Sequence, residues 1–326
     1  MPLFGRFKSI LKQTLYGQAP VWDTPWQHRY AGYSPEDLRI FDKFKGIRRE
    51  AEPGFLKDYL GVRTRPASLA EPVRVLAGHL QEIPVPGGDW HAETIEHIGL
   101  LKSVLDAKGR YRVMELGAGW GPWLVSGAVA ARHLGVEAID MLGVEADQGH
   151  YASLRQHLMD NGFKPEEHTL LRAAVGATAG KAFFPKVEDP ANQWGARPTQ
   201  GNDPADAAYL ASVMGGEQAK LEEVEVLAIG DLLCRMPQWD LVHIDVQGWE
   251  ADICRAGIQE LTKRVRRVIV GTHSRKLDGD IMDIFHQAGW ILEHEKPTQF
   301  IYDRKAEKLE SMTKGDGTQV WRNPGV

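Results

Sequence analysis

Glu115-Leu116-Gly117-Ala118-Gly119-Trp120-Gly121 is the stretch on which the fold turns. It closes the β-rich run Tyr111–Leu116 and leads into a helical stretch, Trp123–His133. Glycines at alternate positions let the chain turn tightly from strand to helix and let a ligand approach the backbone closely. As a dinucleotide fingerprint the loop fails, because Pro122 stands where the third glycine belongs. Glu115 would also repel a pyrophosphate and favour a cationic ligand.

Outward from this loop the chain alternates. β-Rich runs at Tyr111–Leu116, Ala138–Val144, Thr169–Val175, Leu241–Val246 and Arg267–Val270 are separated by helical stretches at Trp123–His133, Tyr151–Asp160, Trp249–Leu261 and Asp280–Ala288. That rhythm predicts an α/β fold, a doubly wound and mostly parallel sheet with helices on both faces. Leu241-Val242-His243-Ile244 is apolar on both sides, as a strand covered on both faces should be. The ligand of such a sheet belongs at the carboxyl ends of its strands. There Gly143-Val144-Glu145 sets a carboxylate at the tip of the second strand, able to accept hydrogen bonds from both hydroxyls of a ribose. Gly176-Ala177-Thr178-Ala179-Gly180-Lys181 is one residue short of a phosphate loop and has Ala182 where Ser or Thr is needed. It is expected to be a hairpin turn.

The first 90 residues differ, being rich in Pro, Gly and aromatics. Ser34 through Phe41 is expected to be helical, with Ser34 as its cap and Pro35 at its first position. The breaker cluster Pro84-Val85-Pro86-Gly87-Gly88 sets a boundary near residue 90 between a helical N-terminal extension, acting as lid or oligomerisation element, and a catalytic domain over 91–326. After it, Ile95, Ile98, Leu101 and Leu105 form one face of a helix. Leu3, Phe4, Phe7, Ile10, Leu11 and Leu15 make an apolar stripe with Arg6, Lys8 and Lys12 beside it. Such a stripe packs on the chain's own core or a second copy, or rests weakly on an anionic membrane.

The 326 residues are 43% hydrophobic and 25% charged, which excludes a disordered or fibrous chain. A net charge of −5 gives no basic footprint for nucleic acid. Cys234 and Cys254 are too few for a disulfide framework and show no metal spacing. No apolar run is long enough to span a membrane, and no secretory signal opens the chain, so a cytoplasmic location is expected.

An acid beside a cationic head group and an acid on a ribose describe S-adenosylmethionine. The E-x-G-x-G-x-G stretch resembles the first motif of the Rossmann-like class I methyltransferases, and Glu145 falls where that family holds the ribose. The resemblance implies that Glu115, Gly117, Ala118, Gly119, Trp120 and Gly121, then Glu145, Ala146 and Ala174, hold the cofactor. The segment Asp245-Val246-Gln247-Gly248-Trp249-Glu250 resembles the D-V-E-G-x-E segment of FkbM-type methyltransferases, with Gln247 departing from the usual acid. Leu171 to Gly176, Gly180 to Phe184, Val268 to Ser274 and Gly289-Trp290 resemble further parts of that family over about residues 110 to 295. The resemblance implies O-methyl transfer to a hydroxyl, often of a sugar or glycosylated small molecule. A nicotinamide oxidoreductase and a non-catalytic cofactor-binding scaffold in a glycan-assembly complex are the alternatives.

Methyl transfer needs alignment and the removal of one proton. Asp245, His273 and Glu250 are the candidate catalytic residues, with His273 as the base. Structural roles compete for each: Asp245 can cap the helix at Trp249, Glu250 can favour that helix's positive end, and His273 can be a half-buried ring. The same three could hold Mg²⁺, but no third carboxylate joins them, and no metal ligand is assigned. His243, deeper on its strand, is expected in the core. Ten tryptophans against eight tyrosines draw attention to indoles that stack on sugar faces. Trp194, Arg197 and Trp249 are the candidate acceptor-binding residues, with Trp194 and Arg197 in a long loop, Pro190–Asp206.

Overall fold

The computed structural model describes residues 31–85, 87–199, 220–306 and 312–326. The N-terminal apolar stripe and the end of the Pro190–Asp206 loop lie outside the described residues. The elements that carry the fold are α1 (Thr94–Asp106), β1 (Arg110–Leu116), α2 (Pro122–His133), β2 (Ala138–Glu145), α3 (Gln148–Asp160) and β3 (Thr169–Arg172). They continue as β4 (Ala174–Gly176), β5 (Gly180–Pro185), β6 (Leu221–Ala228), α4 (Ile229–Leu233), β7 (Trp239–Ile244) and α5 (Glu250–Arg264). The last are β8 (Val265–Thr272), α6 (Arg275–Gln287), β9 (Ile291–Lys296) and β10 (Gly317–Arg322).

A seven-stranded sheet runs in the order β9-β10-β8-β7-β1-β2-β3. Its strands are parallel except β10, which is antiparallel to both β8 and β9. The order reverses at β1, the switch point of a doubly wound sheet, as expected from the sequence. Each strand sends alternate side chains to opposite faces. Val113, Leu241 and Ile269 join α1, α2 and α3 in one core, while Met114, Val242 and Val268 join α4, α5 and α6 in the other. Helix α1 is buried over most of its turns, including Ile95, Ile98 and Leu101. Leu105, expected on the same face, is exposed in its last turn.

The expected strand Thr169–Val175 is broken at Ala173, which donates to the carbonyl of Glu145. Its first part, β3, completes the large sheet, and its second, β4, joins a three-stranded sheet ordered β4-β6-β5. The turn after Gly176 is therefore not a hairpin. Strand β6 lies between β4 and β5, and Val226 pairs with both Ala174 and Gly180.

The described part of the extension contains only short elements. They are 3-10 helices at Asp37–Phe44 and Pro66–Ser68, an antiparallel pair Leu56–Lys57 with Arg63–Thr64, and a four-residue helix at Glu71–Arg74. Pro53, Pro66, Pro72 and Pro84 interrupt the segment, since a proline inside a helix removes a donor and clashes with the preceding turn. Ser34 does not cap by accepting a bond; its amide and hydroxyl both donate to Asp37 Oδ2. Phe41, Phe44, Tyr59 and Leu60 are buried in the same core as α1 and α2, so residues on both sides of the Pro84–Gly88 break share one interior.

Candidate active site

Sheet register brings the two acids of the sequence together. Glu115 of β1 stands level with Gly143 of β2 and His243 of β7, so Glu145, the last residue of β2, and Asp245, one step past β7, flank Gly117. Gly117 and Ala118 donate to the carbonyl of Val144, and Asp245 donates to that of Leu116, which ties the loop to both neighbours. Gly117, Gly119 and Gly121 have φ of +73°, +55° and +72°, conformations that L side chains rarely adopt. A Cβ at Gly117 would collide with the Asp245 carbonyl, and one at Gly121 with Leu154.

These strand ends floor a cavity of about 400 Å³, within the ~300–1,000 Å³ of small-molecule sites. Glu115, Gly117, Ala118, Gly119, Trp120, Glu145, Ala146, Ala174, Trp194 and Asp245 all line it. Gly121 does not; its glycine is required by packing on Leu154 at the start of α2. Glu145 Oε2 accepts from the Gly119 amide at 2.8 Å and Oε1 from the Asp147 amide at 2.7 Å. A carboxylate has about four acceptor positions, so two remain for hydroxyls. Burial pushes the Glu145 carboxyl above its ordinary range. Glu115 is buried too, with Oε2 accepting from the Leu124 amide at 2.9 Å, so its carboxyl also holds the first turn of α2. Burial raises it well above the usual carboxylate range.

Asp245 lines the cavity; Glu250 and His273 do not. His273 lies behind Asp245, its Nε2 3.3 Å from Asp245 Oδ1 and its Nδ1 3.2 Å from Glu250 Oε1. Burial disfavours the charged ring, but the two carboxylates prevail and push its pKa up to about 11. A ring held as a cation cannot take a proton, so His273 does not fit the expected base. Glu250, wholly buried, accepts from the amides of Val246 at 2.9 Å and Gly248 at 3.0 Å, and clamps the turn after β7. Burial opposes ionisation of Asp245, yet the bond to His273 and its charge hold the carboxyl below the ordinary range.

Gln247, noted in the sequence only as a departure from the usual acid, lines the cavity, as does Trp123. Gln247 is the only non-glycine with positive φ among the described residues, at 56°, and donates to Asp245 Oδ1 at 3.0 Å. Such backbone costs about 1–3 kcal/mol and persists where surrounding structure enforces it. Asp316, from the turn before β10, faces the same space, and loss of solvent raises its pKa. Trp90, His91, Glu96, Trp123 and His243 form one wall, and Leu69, Ala70 and Val73 add part of the extension. His243, expected in the core, is buried but reaches the cavity. Trp194 stacks on His150 at 4.1 Å and meets Trp120 edge-on at 4.9 Å. Arg197 is not in the wall, and Trp249 packs instead on the core under α5. Five acidic residues line the cavity, Asp245 among them held ionised, and among the described residues no lysine or arginine does. That lining suits a sulfonium cation and not a pyrophosphate.

The Asp245, Glu250 and His273 ligand atoms lie within 4.8 Å of one another, as do those of a second group, Asp89, His91 and His97. In the first group both carboxylates already accept from amides, Glu250 from Val246 and Gly248 and Asp245 from the Gln247 side chain, and His273 Nδ1 is the one buried atom without a hydrogen bond among the described residues. No helix of the described residues is long and apolar enough to cross a membrane.

Residues 127–292 match the methyltransferase FkbM domain. A protein of Jannaschia sp. (strain CCS1), whose name assigns it to the methyltransferases, is 34% identical over 282 residues, spanning 86% of this chain and 97% of its own. Among solved structures, methyltransferase FkbM from Methylobacillus flagellatus KT aligns over 65% of this chain and 44% of its own, at 10% identity and a TM-score of 0.38. Precorrin-6y C5,15-methyltransferase from Geobacter metallireducens GS-15 aligns over 73% and 92%, at 10% identity and a TM-score of 0.37.

Proposed function

The chain belongs to the FkbM methyltransferase family, and from that premise we propose that it methylates a hydroxyl of a sugar or glycosylated small molecule, using S-adenosylmethionine. The carrying observation is the pair of carboxylates at the switch point: Glu145 with acceptor positions to spare, and Asp245 across Gly117 in the same cavity. When bound, the cofactor supplies an electrophilic sulfonium methyl. Glu145 accepts the ribose hydroxyls, and the glycine loop leaves room beside them. Asp245 would accept the hydrogen bond of the acceptor hydroxyl and take its proton as the oxygen–methyl bond forms and the methyl–sulfur bond breaks, the sulfur leaving as a neutral thioether. His273 and Gln247 hold Asp245 in place, so they are positioning residues. Trp90, Trp120 and Trp194 offer flat apolar faces of the kind on which sugar rings stack. Aligning the reactants is worth about 7–11 kcal/mol, far more than a weak base contributes, so an ionised Asp245 of modest basicity suffices. Mg²⁺ has no part in this proposal.

Calorimetric titration tests the cofactor. S-adenosylmethionine should bind and NAD(H) should not, and Glu145→Ala should weaken binding by about 1–3 kcal/mol. Unchanged affinity in that variant would remove the ribose assignment. Transfer from methyl-labelled cofactor to a panel of glycosides, read by mass spectrometry, tests the acceptor. Tight cofactor binding with no labelled glycoside would favour the scaffold reading.

A further inference from the structure

Asp89-Trp90-His91 leads into α1, and His97 lies at that helix's fourth residue. Asp89 organises the entry: its Oδ1 accepts the backbone amides of His91 and Ala92, each at 2.9 Å. Helix α1 is then fixed by a reciprocal cap, in which the Glu93 amide donates to Glu96 Oε2 at 2.8 Å. Both rings are thereby set against Asp89. His91 Nδ1 stands 2.8 Å from Asp89 Oδ1, and His97 Nε2 stands 3.1 Å from Oδ2. The side chains are nearly enclosed, at 2% exposure for Asp89, 13% for His91 and 1% for His97.

These contacts are short but not directed. Asp89 Oδ2, His91 Nδ1 and His97 Nε2 each have no hydrogen-bond partner among the described residues. An unsatisfied buried polar atom is costly, and native interiors hold few of them. Three that converge from one turn and one helix call for a shared partner.

We propose that Asp89, His91 and His97 bind one divalent transition-metal ion of the zinc class. Their ligand atoms lie within 4.8 Å of one another. Around an ion with bonds of about 2.1 Å, neighbouring ligand atoms stand roughly 3.0–3.4 Å apart, a scale close to the observed 2.8 and 3.1 Å. Two imidazoles with one carboxylate select zinc-like ions over Mg²⁺, which prefers oxygen. The other nitrogen of His97, Nδ1, lies 3.4 Å from the Tyr59 hydroxyl, an outer partner that steadies the ring. Three protein ligands leave a coordination position open, as in sites that bind a water or a substrate oxygen. His91 belongs to the cavity wall, so the ion would border the space assigned above to the acceptor. The site itself does not depend on that assignment.

The test uses untagged, full-length protein stripped with a chelator and dialysed. Titration with Co²⁺, followed by its visible absorption, should show one bound equivalent with nitrogen ligation, displaced by Zn²⁺ and not by Mg²⁺. Asp89→Asn keeps the acceptor for the two amides, so it should fold; it should weaken Co²⁺ binding at least tenfold, as should His91→Gln. Glu250→Gln, in the other cluster, should leave the equivalent in place. Zn²⁺ should also raise the melting temperature of the wild-type protein, a readout free of any variant. No cobalt uptake by the wild-type chain would overturn the site, as would uptake untouched by Asp89→Asn or lost only in Glu250→Gln.

Discussion

Two clusters built from the same residue types, Asp245–Glu250–His273 and Asp89–His91–His97, differ in how fully their buried polar atoms are satisfied. In the first, His273 lies between two carboxylates, and Glu250 and Asp245 also accept from Val246, Gly248 and Gln247. In the second, three buried atoms have no hydrogen bond to satisfy them, against one, His273 Nδ1, in the first. A cluster whose carboxylates are already engaged is a strut: it can position a side chain at a cleft, but it has less left to give a ligand. An unsaturated one is poorly settled alone and gains from a guest. Residue types within reach of each other therefore do not define a metal site; unused valence does.

The largest way to break the comparison acts on the backbone supporting the strut. Gly117→Ala would drive a methyl group into the Asp245 carbonyl at a residue with positive φ. Loss of more than about 4 kcal/mol of stability, or no folded protein at all, is expected from such combined collision and strain. Denaturant unfolding within 1 kcal/mol of wild type would mean that Asp245 is not wedged against the loop.

Next comes a direct contrast in chelated buffer. Glu250→Gln removes the charge facing His273 from a wholly buried position and should cost about 3–5 kcal/mol, the scale of a broken buried pair. Asp89→Asn removes a charge facing two rings but keeps the acceptor for the His91 and Ala92 amides, and should cost less than Glu250→Gln without metal. Comparable losses in the two variants would erase the distinction between strut and vacancy.

What sequence could read follows the same division. The glycine loop, Glu145 and Asp245 are contiguous with strand ends, and parallel register delivers such positions to one place whatever the intervening chain does. Glu250 and His273 were found as residues but not as roles, because a charge state depends on which carboxylates surround a ring. Asp316, Trp90 and His91 reach the cleft from outside the strand–helix alternation, where no periodicity points to them. The first six residues of strand β6, Leu221-Glu222-Glu223-Val224-Glu225-Val226, are half-exposed and half-charged, so its apolar signal is weak; missing it left the turn after Gly176 looking like a hairpin.

The cationic state of His273 can be sharpened by pH. Its folded pKa of about 11 is above the ordinary 6.5, so its contribution is complete below about 6.5 and is lost as pH rises through about 11. Stability measured from pH 7 to 11 should fall more in the wild type than in His273→Gln. Parallel curves would show that the ring is neutral and available as a base after all.

A third buried histidine supplies the smallest test, with the sign reversed. His157 in α3 is 5% exposed; its Nδ1 donates to the Trp120 carbonyl at 3.0 Å, and its Nε2 lies 3.4 Å from the Thr64 hydroxyl. Burial outweighs the Trp120 bond and the charge of Asp160, while His91 repels a proton further, and the pKa falls to about 4. The folded chain keeps this ring neutral where the unfolded chain would protonate it, so stability rises with pH between about 4 and 6.5. Over that window the ring accounts for up to about 3 kcal/mol, at about 1.4 kcal/mol per pKa unit. Carboxylates titrate in the same region, so the measurement is the difference between wild type and His157→Gln, followed by denaturant unfolding at each pH. The difference should shrink, or change sign in favour of the variant, as pH drops from 6.5 to 4. A constant gap would mean that His157 keeps its proton when folded, and that burial beside the Trp120 loop does not by itself discharge a ring.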